Sequence, residues 1–351
     1  MKGVVFLGDR KLELTDFPDP TPGPDEVVLE IKASGMCGSD LHFYRASSSG
    51  EGGARSLGLG GDGSPVIAGH EPCGVVAARG SAVPEAQAPL GARVMCHHYS
   101  GCGICPSCRS GWSQLCPEHI VVYGVTGHGA HAAYMKVPAR TLVPLPDALS
   151  FSEGAAIACG TGTAFAAIRR MKLTGAETLA VFGQGPVGLS ATLLASAMGV
   201  RVIAVEVGAE RLALAGEFGA DATVDGNQVD VVEALRERTH GRGVDMAIDC
   251  SGHPEARVQA VRGTRTWGTV CFVGEGGTVT LEVSPDMIRK QITLLGSWTF
   301  SSLGQGECAQ FVAERGIALD RIFTQRYALA EAEKAYQLFD TQTTGKGVFE
   351  F

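Results

Sequence analysis

The sequence predicts an α/β protein of two domains. A mainly antiparallel β domain spans residues 1–150, a doubly wound parallel sheet spans 151–295, and residues 296–351 return to the first domain. Three observations carry this expectation. A chain of 351 residues is longer than a single core usually supports. Its first part is short β-rich runs and turns, whereas from about residue 150 strands and helices alternate, the pattern of a parallel sheet covered on both faces. The chain also ends in GVFEF, a lone strand that needs a sheet to join.

In order along the chain, VVFLG, EVVLEIKASG, GVVAARG and GARVMCHH read as strands, and Pro18, Pro20, Pro22 and Pro24 mark an early loop. Residues 46–64 are too rich in glycine and serine to form an element of their own and are expected to be a mobile loop. Ser150 or Ser152 can cap a helix running toward Arg170. ETLAVFG follows as a strand, PVGLSATLLASAMG as a helix ending in glycine, RVIAVE as a strand and AERLALAGEFG as a helix. VDMAIDCSG and TVCFVG are two further strands.

The formal net charge of −8 argues against a nucleic-acid partner. No apolar run is long enough to span a bilayer, and the start MKGVVFLGDR does not read as a secretory signal, so a cytoplasmic protein is expected. Eleven cysteines is an odd number for a disulfide framework, and clustered thiols in a reducing compartment more often ligate metal. Cys102, Cys105, Cys108 and Cys116 take two C-x₂-C steps and one longer step, so that four thiolates can surround one zinc ion with no open position: a structural site. Cys73, Cys96, Cys250, Cys271 and Cys308 lie in or beside apolar runs and read as core.

VFGQGPVG places Gly183, Gly185, Pro186, Val187 and Gly188 between a predicted strand and a predicted helix. In that context G-x-G-x-x-G binds a dinucleotide: Gly183 allows the tight turn, Gly185 lets backbone approach a pyrophosphate, and Gly188 lets the helix pack close to the strand. Glu206 ends the next strand, where a carboxylate accepts from ribose hydroxyls and repels a 2′-phosphate; this points to NAD, with Arg211 as the counter-argument. Cys37 and His70 each lie in a glycine-flanked turn after a strand. With Cys159 as third ligand they make a metal set with one open position, the pattern of a catalytic zinc. Glu153 is a rival ligand, although a glutamate at a helix start more often answers the helix dipole. His98 and Tyr99 are open between pocket and surface.

Cys37 with Ser39, Asp40 and His42, the Gly69-His70-Glu71 turn, the four-cysteine lobe, Cys159, and the Gly183–Gly188 loop with Glu206 together resemble the zinc-dependent alcohol dehydrogenases of the medium-chain dehydrogenase/reductase superfamily, over nearly the whole chain. The resemblance implies a GroES-like first domain, a Rossmann second domain, and an active site in the cleft between them. It implies one catalytic and one structural zinc per chain, NAD, a small-molecule alcohol or carbonyl substrate, and a homodimer or homotetramer. By the same resemblance Asp40 orients His70, and Glu71 sits beside the ion. Ser39 touches the substrate hydroxyl, His42 passes its proton toward solvent, and Lys346 lies against the pyrophosphate. Cys159, where polyol dehydrogenases commonly carry glutamate, favours a simple alcohol over a polyol or amino alcohol. A non-catalytic zinc and NAD redox sensor would leave Cys37, Ser39, His42, His70 and Cys159 without a joint purpose.

Overall fold

The computed structural model describes residues 1–47 and 64–351. The mobile loop expected over 46–64, as a lid or as a widening of the pocket relative to the family, therefore lies, but for its ends, outside the described residues. Two compact units result: Met1–Gly162 with Phe300–Thr341 and Lys346–Phe351, and Thr163–Thr299 with Gln342–Gly345. Among the described residues no helix is long and apolar enough to cross a membrane.

In the first unit the strand Glu26–Gly35 is the spine of the main sheet. It pairs antiparallel with Pro72–Arg79 on one side, and with Tyr134–Pro138 and Lys346–Glu350 on the other. Its Val27, Leu29 and Ile31 recur every second residue and enter one core with Val76, Met135 and Val137, as the pleat requires. The terminal run GVFEF joins this sheet, with Val348 opposite Gly35 and Phe349 opposite Ser34. Phe323–Tyr327 adds to Lys346–Glu350 in parallel, a departure from the antiparallel pattern. A second core gathers Val4, Met36, Tyr44, Tyr336, Phe339 and Phe349, which fastens the helix Ala332–Asp340 to the N-terminal hairpin.

The single helix expected from Ser150 toward Arg170 is two. Phe151–Ile157 and Gly160–Met171 are separated at Ala158 and Cys159. Ser150 caps the first in a capping box with Glu153, each side chain taking the other's backbone N–H. Glu153 is thus a capping residue, not a metal ligand. The first unit runs on to Gly162 instead of ending at 150, because Ser152 to Ile157 are buried against its sheet. The return begins at Phe300, not 296, for the same reason: Phe300 is fully buried, packing on His97 and Gly162.

The second unit holds a parallel sheet in the order Ala222–Asp225, Arg201–Glu206, Thr178–Phe182, Val244–Asp249, Thr264–Phe272, Thr293–Gly296. Strand order reverses between Thr178–Phe182 and Val244–Asp249. That reversal opens a crevice at the carboxyl ends of the strands and defines a Rossmann sheet. The inner strands are apolar on both faces, as strands covered by helices on two sides must be.

Candidate functional site

The glycine turn stands at that strand reversal. Gly183 has φ +83°, and a Cβ there would meet Ser251 at 2.8 Å. At Gly188 a Cβ would lie 1.7 Å from the Gly183 carbonyl oxygen, so the helix Pro186–Ala197 can leave the strand this closely only with glycine. Gly185 is different: the nearest atom to its absent Cβ is an Arg211 nitrogen at 4.0 Å, which leaves its backbone approachable. Pro186 occupies the first helical position, where its missing N–H costs nothing. Val187 follows in the first turn, half-buried.

Glu206 has a structural duty that the sequence does not announce. One carboxylate oxygen accepts from the Gln184 amide at 2.7 Å, and the other accepts from Val207 at 2.7 Å and Gly208 at 3.4 Å. It therefore holds the glycine turn in place. Arg211 is half-buried beside this turn; burial lowers its pKa, opposed by Glu206, and its Nε donates to the Thr344 carbonyl at 3.4 Å. Sequence reasoning missed Asp249. Its Oδ1 accepts from Ser251 N at 2.9 Å, Ser251 Oγ at 2.7 Å and Gly252 N at 3.2 Å, and Arg257 Nε stands 3.1 Å from Oδ2. Asp249 thus props the turn against which Gly183 packs; the available signal was its place at the end of a strand beside the reversal.

The four clustered cysteines are free thiols whose sulfurs all lie within 4.8 Å of one another. Cys102 and Cys108 sulfurs are 4.0 Å apart, and Cys105 and Cys116 sulfurs 3.9 Å apart. A tetrahedron with metal–sulfur bonds of ~2.3 Å has edges of about 3.8 Å, whereas a disulfide needs ~2.05 Å. The lobe therefore fits one zinc ion and contains no disulfide. Amides of Cys102, Cys105 and Cys108 donate to the sulfurs of Cys116, Cys102 and Cys105 at 3.3, 3.3 and 3.4 Å, which favours thiolates. Amide donation, from Cys102 first, brings the Cys116 thiol down to about 6. Replacing Cys105 with serine is expected to lower Tm by roughly 5–10 °C while turnover per metal-replete molecule changes little. Calorimetry beside steady-state kinetics checks this; unchanged melting would contradict a structural metal.

Cys37, His70, Glu71 and Cys159 form a second set within 4.8 Å, all buried. Cys37 follows the spine strand, His70 and Glu71 precede Pro72–Arg79, and Cys159 sits in the break between the two helices. That break turns the thiol out of the helical row and onto Cys37, sulfur to sulfur at 3.7 Å, again the edge of a zinc tetrahedron. The pair shares a proton. A hydrogen bond from Cys159 holds Cys37 well below the usual thiol range, and the same bond, with burial, pushes Cys159 up. Ser39 Oγ lies 3.3 Å from Cys37 Sγ and 3.1 Å from His70 Nε2. His70 Nδ1 lies 2.9 Å from Asp40 Oδ1. Burial opposes charge on His70, but Asp40 and then Cys37 outweigh it and hold its pKa well above the usual value. Asp40 opens the helix Asp40–Arg45, which also carries the exposed His42.

Lys346 has a partner that the sequence does not announce. Lys346 is 1 % exposed, and its Nζ donates to the Met36 carbonyl at 2.9 Å and to Glu71 at 2.6 Å. Glu71 is fully buried and would be strongly destabilising without a cation beside it. Burial pushes the Glu71 carboxyl up, and the Lys346 ammonium beside it pulls the other way. Burial likewise opposes charge on Lys346, and Glu71 outweighs it. Gly35 makes room, since a Cβ there would stand 1.9 Å from a Glu71 oxygen. His98 and Tyr99 are both buried rather than on the surface. The His98 ring meets His70 edge-on at 5.2 Å and donates from Nδ1 to the Ala158 carbonyl at 3.0 Å. Cys250, expected in the core, is only half-buried, unlike Cys73, Cys96, Cys271 and Cys308.

Two family models match the chain: the alcohol dehydrogenase GroES-like domain over residues 23–147 and the zinc-binding dehydrogenase model over 186–315. The zinc-type alcohol dehydrogenase-like protein YphC of Escherichia coli is 37 % identical over 362 residues, covering 100 % of this chain and 99 % of that protein. A sorbitol dehydrogenase of Bacillus subtilis is 30 % identical over 340 residues, covering 96 % of this chain and 93 % of its own. Among solved structures, the alcohol dehydrogenase TADH from Thermus sp. ATN1 superposes with a TM-score of 0.89 at 26 % identity, covering 100 % of this chain and 99 % of the other. Similarity that runs end to end, with the GroES-like model on the β domain and the zinc-binding model on the Rossmann sheet, means that this chain belongs to the zinc-dependent alcohol dehydrogenases of the medium-chain dehydrogenase/reductase superfamily.

Proposed function

We propose that the chain catalyses reversible hydride transfer between an alcohol carbon and NAD, giving an aldehyde or ketone. The observation that carries this reading is the convergence of Cys37 Sγ, His70 Nε2 and Cys159 Sγ beside a serine hydroxyl within reach of two of them. Zinc held by these three residues supplies a Lewis acid that makes an alcohol hydroxyl acidic near neutral pH. The nicotinamide of a bound dinucleotide supplies the hydride acceptor.

The chain's own residues do the rest. Ser39 Oγ is placed to accept the substrate's hydroxyl proton, and His42, exposed one helical turn further on, passes it to solvent. Asp40 keeps His70 in the Nδ1–H tautomer, so that Nε2 offers its lone pair. Glu71, neutralised by Lys346, brings a carboxylate close to the ligand sulfurs without adding net negative charge to the site. Glu206 presents negative charge where a 2′-phosphate would sit, which selects NAD over NADP.

Oxidation of a polyol is a second reading, favoured by the similarity to sorbitol dehydrogenase; Cys159 at the third ligand position speaks for the simpler alcohols. A screen following NADH formation across primary, secondary and polyhydroxylated alcohols, repeated with NADP, tests both. At least one alcohol should reduce NAD, with a preference of about tenfold or more over NADP. Higher kcat/KM with NADP would overturn the ribose assignment, and no turnover with any alcohol would overturn the reaction.

A further inference from the structure

Two buried aromatic groups have no part in the chemistry above, yet they connect to it. Asp40 Oδ2 accepts from the Cys37 amide at 2.8 Å and from the Tyr336 hydroxyl at 3.1 Å. The same hydroxyl lies 2.7 Å from His131 Nε2, and His131 Nδ1 lies 2.7 Å from Ser34 Oγ. Ser34, Tyr336 and His131 are fully buried, and Asp40 is 1 % exposed.

The direction of every bond in this chain follows from the groups present. A carboxylate only accepts, so Tyr336 spends its single hydrogen on Asp40. The phenol oxygen must then accept, so His131 carries its hydrogen on Nε2. Nδ1 is left as an acceptor, and Ser34 donates to it. Burial lowers the His131 pKa to about 4, consistent with this neutral ring. The reverse polarity is closed, because it would have Asp40 donate to Tyr336.

We propose that Tyr336 and His131 are positioning residues for the catalytic metal, acting through Asp40 on the tautomer and aim of His70; this rests on the reading of Cys37, His70 and Cys159 as zinc ligands. The frame around them is rigid. Tyr336 packs on Phe6 at 4.9 Å and Tyr44 at 5.6 Å. The His131 ring lies against Gly69, where a Cβ would stand 2.4 Å from Nδ1 and where φ is +91°. The residue preceding the ligand His70 is therefore glycine both for its backbone and for this contact. Tyr336 comes from the C-terminal helix, so the returning tail supplies part of the metal's support.

The test is release of zinc to a chromogenic chelator from the full-length zinc protein, which should give two phases for two ions. Tyr336→Phe keeps the ring and removes the hydroxyl. One phase should quicken by about tenfold while the other keeps its rate, as expected for a group supporting a ligating imidazole. In an Asp40→Asn background the same substitution should add less than twofold, since its effect travels through Asp40. Ser34→Ala, a milder change, should quicken the same phase. Rates equal to wild type in both Tyr336→Phe and Ser34→Ala overturn the inference, as does equal quickening of both phases. A wild-type protein that holds one zinc ion overturns the underlying ligand reading and this inference with it.

Discussion

Replacing Cys159 with alanine is expected to lower turnover by at least ~10³-fold, since several kcal/mol of transition-state stabilisation goes with the catalytic ion. The substitution is small, so packing is little disturbed; what changes is chemistry. Cys37 loses the hydrogen bond that holds it as a thiolate, and the set falls from three donors to two. NADH affinity should stay within about twofold, because the glycine turn is built from the other unit's own core. Steady-state kinetics and an NADH fluorescence titration on the same preparation separate the two effects. Undiminished kcat would show that Cys159 is not a ligand.

The second large effect is expected in the glycine turn, and it comes as a contrast. Gly188→Ala drives a methyl to 1.7 Å from the Gly183 carbonyl oxygen, which only a backbone shift can relieve. NADH affinity should fall about 100-fold, ~2.8 kcal/mol, together with Tm. Gly185→Ala meets nothing nearer than 4.0 Å and should leave Tm unchanged. On the proposed cofactor site its methyl would stand where a pyrophosphate approaches backbone, so NADH affinity should fall without loss of stability. Titration and calorimetry on both variants check this. Equal loss of Tm in the two would mean that Gly185 serves folding and not binding.

The parts of the site legible in the sequence are those whose chemistry is local. The C-x₂-C steps of the lobe and the G-x-G-x-x-G turn each sit within one loop, so spacing alone states their geometry. Cys37 is legible in a glycine-flanked turn after a strand; His70 lies in such a turn too, but it precedes the strand Pro72–Arg79 where the sequence pattern puts it after one. What spacing does not carry is tertiary. SEGAAIACGTGTAF reads as unbroken helix, yet the helix ends at Ile157 and restarts at Gly160, and this break is what delivers Cys159. Nothing in the sequence pairs Lys346 with Glu71, 275 residues away, yet the two are buried together. Tyr336 lies 296 residues from Asp40, and only the folded chain brings its hydroxyl to that carboxylate.

Zinc content per chain, measured in the wild type and in Cys159→Ala, tests the central claim most directly. Two ions in the wild type and one in the variant, with the remaining ion held by Cys102, Cys105, Cys108 and Cys116, is the expected result. A wild type with a single ion, or a variant that still keeps two, would contradict a catalytic zinc bound by Cys37, His70 and Cys159.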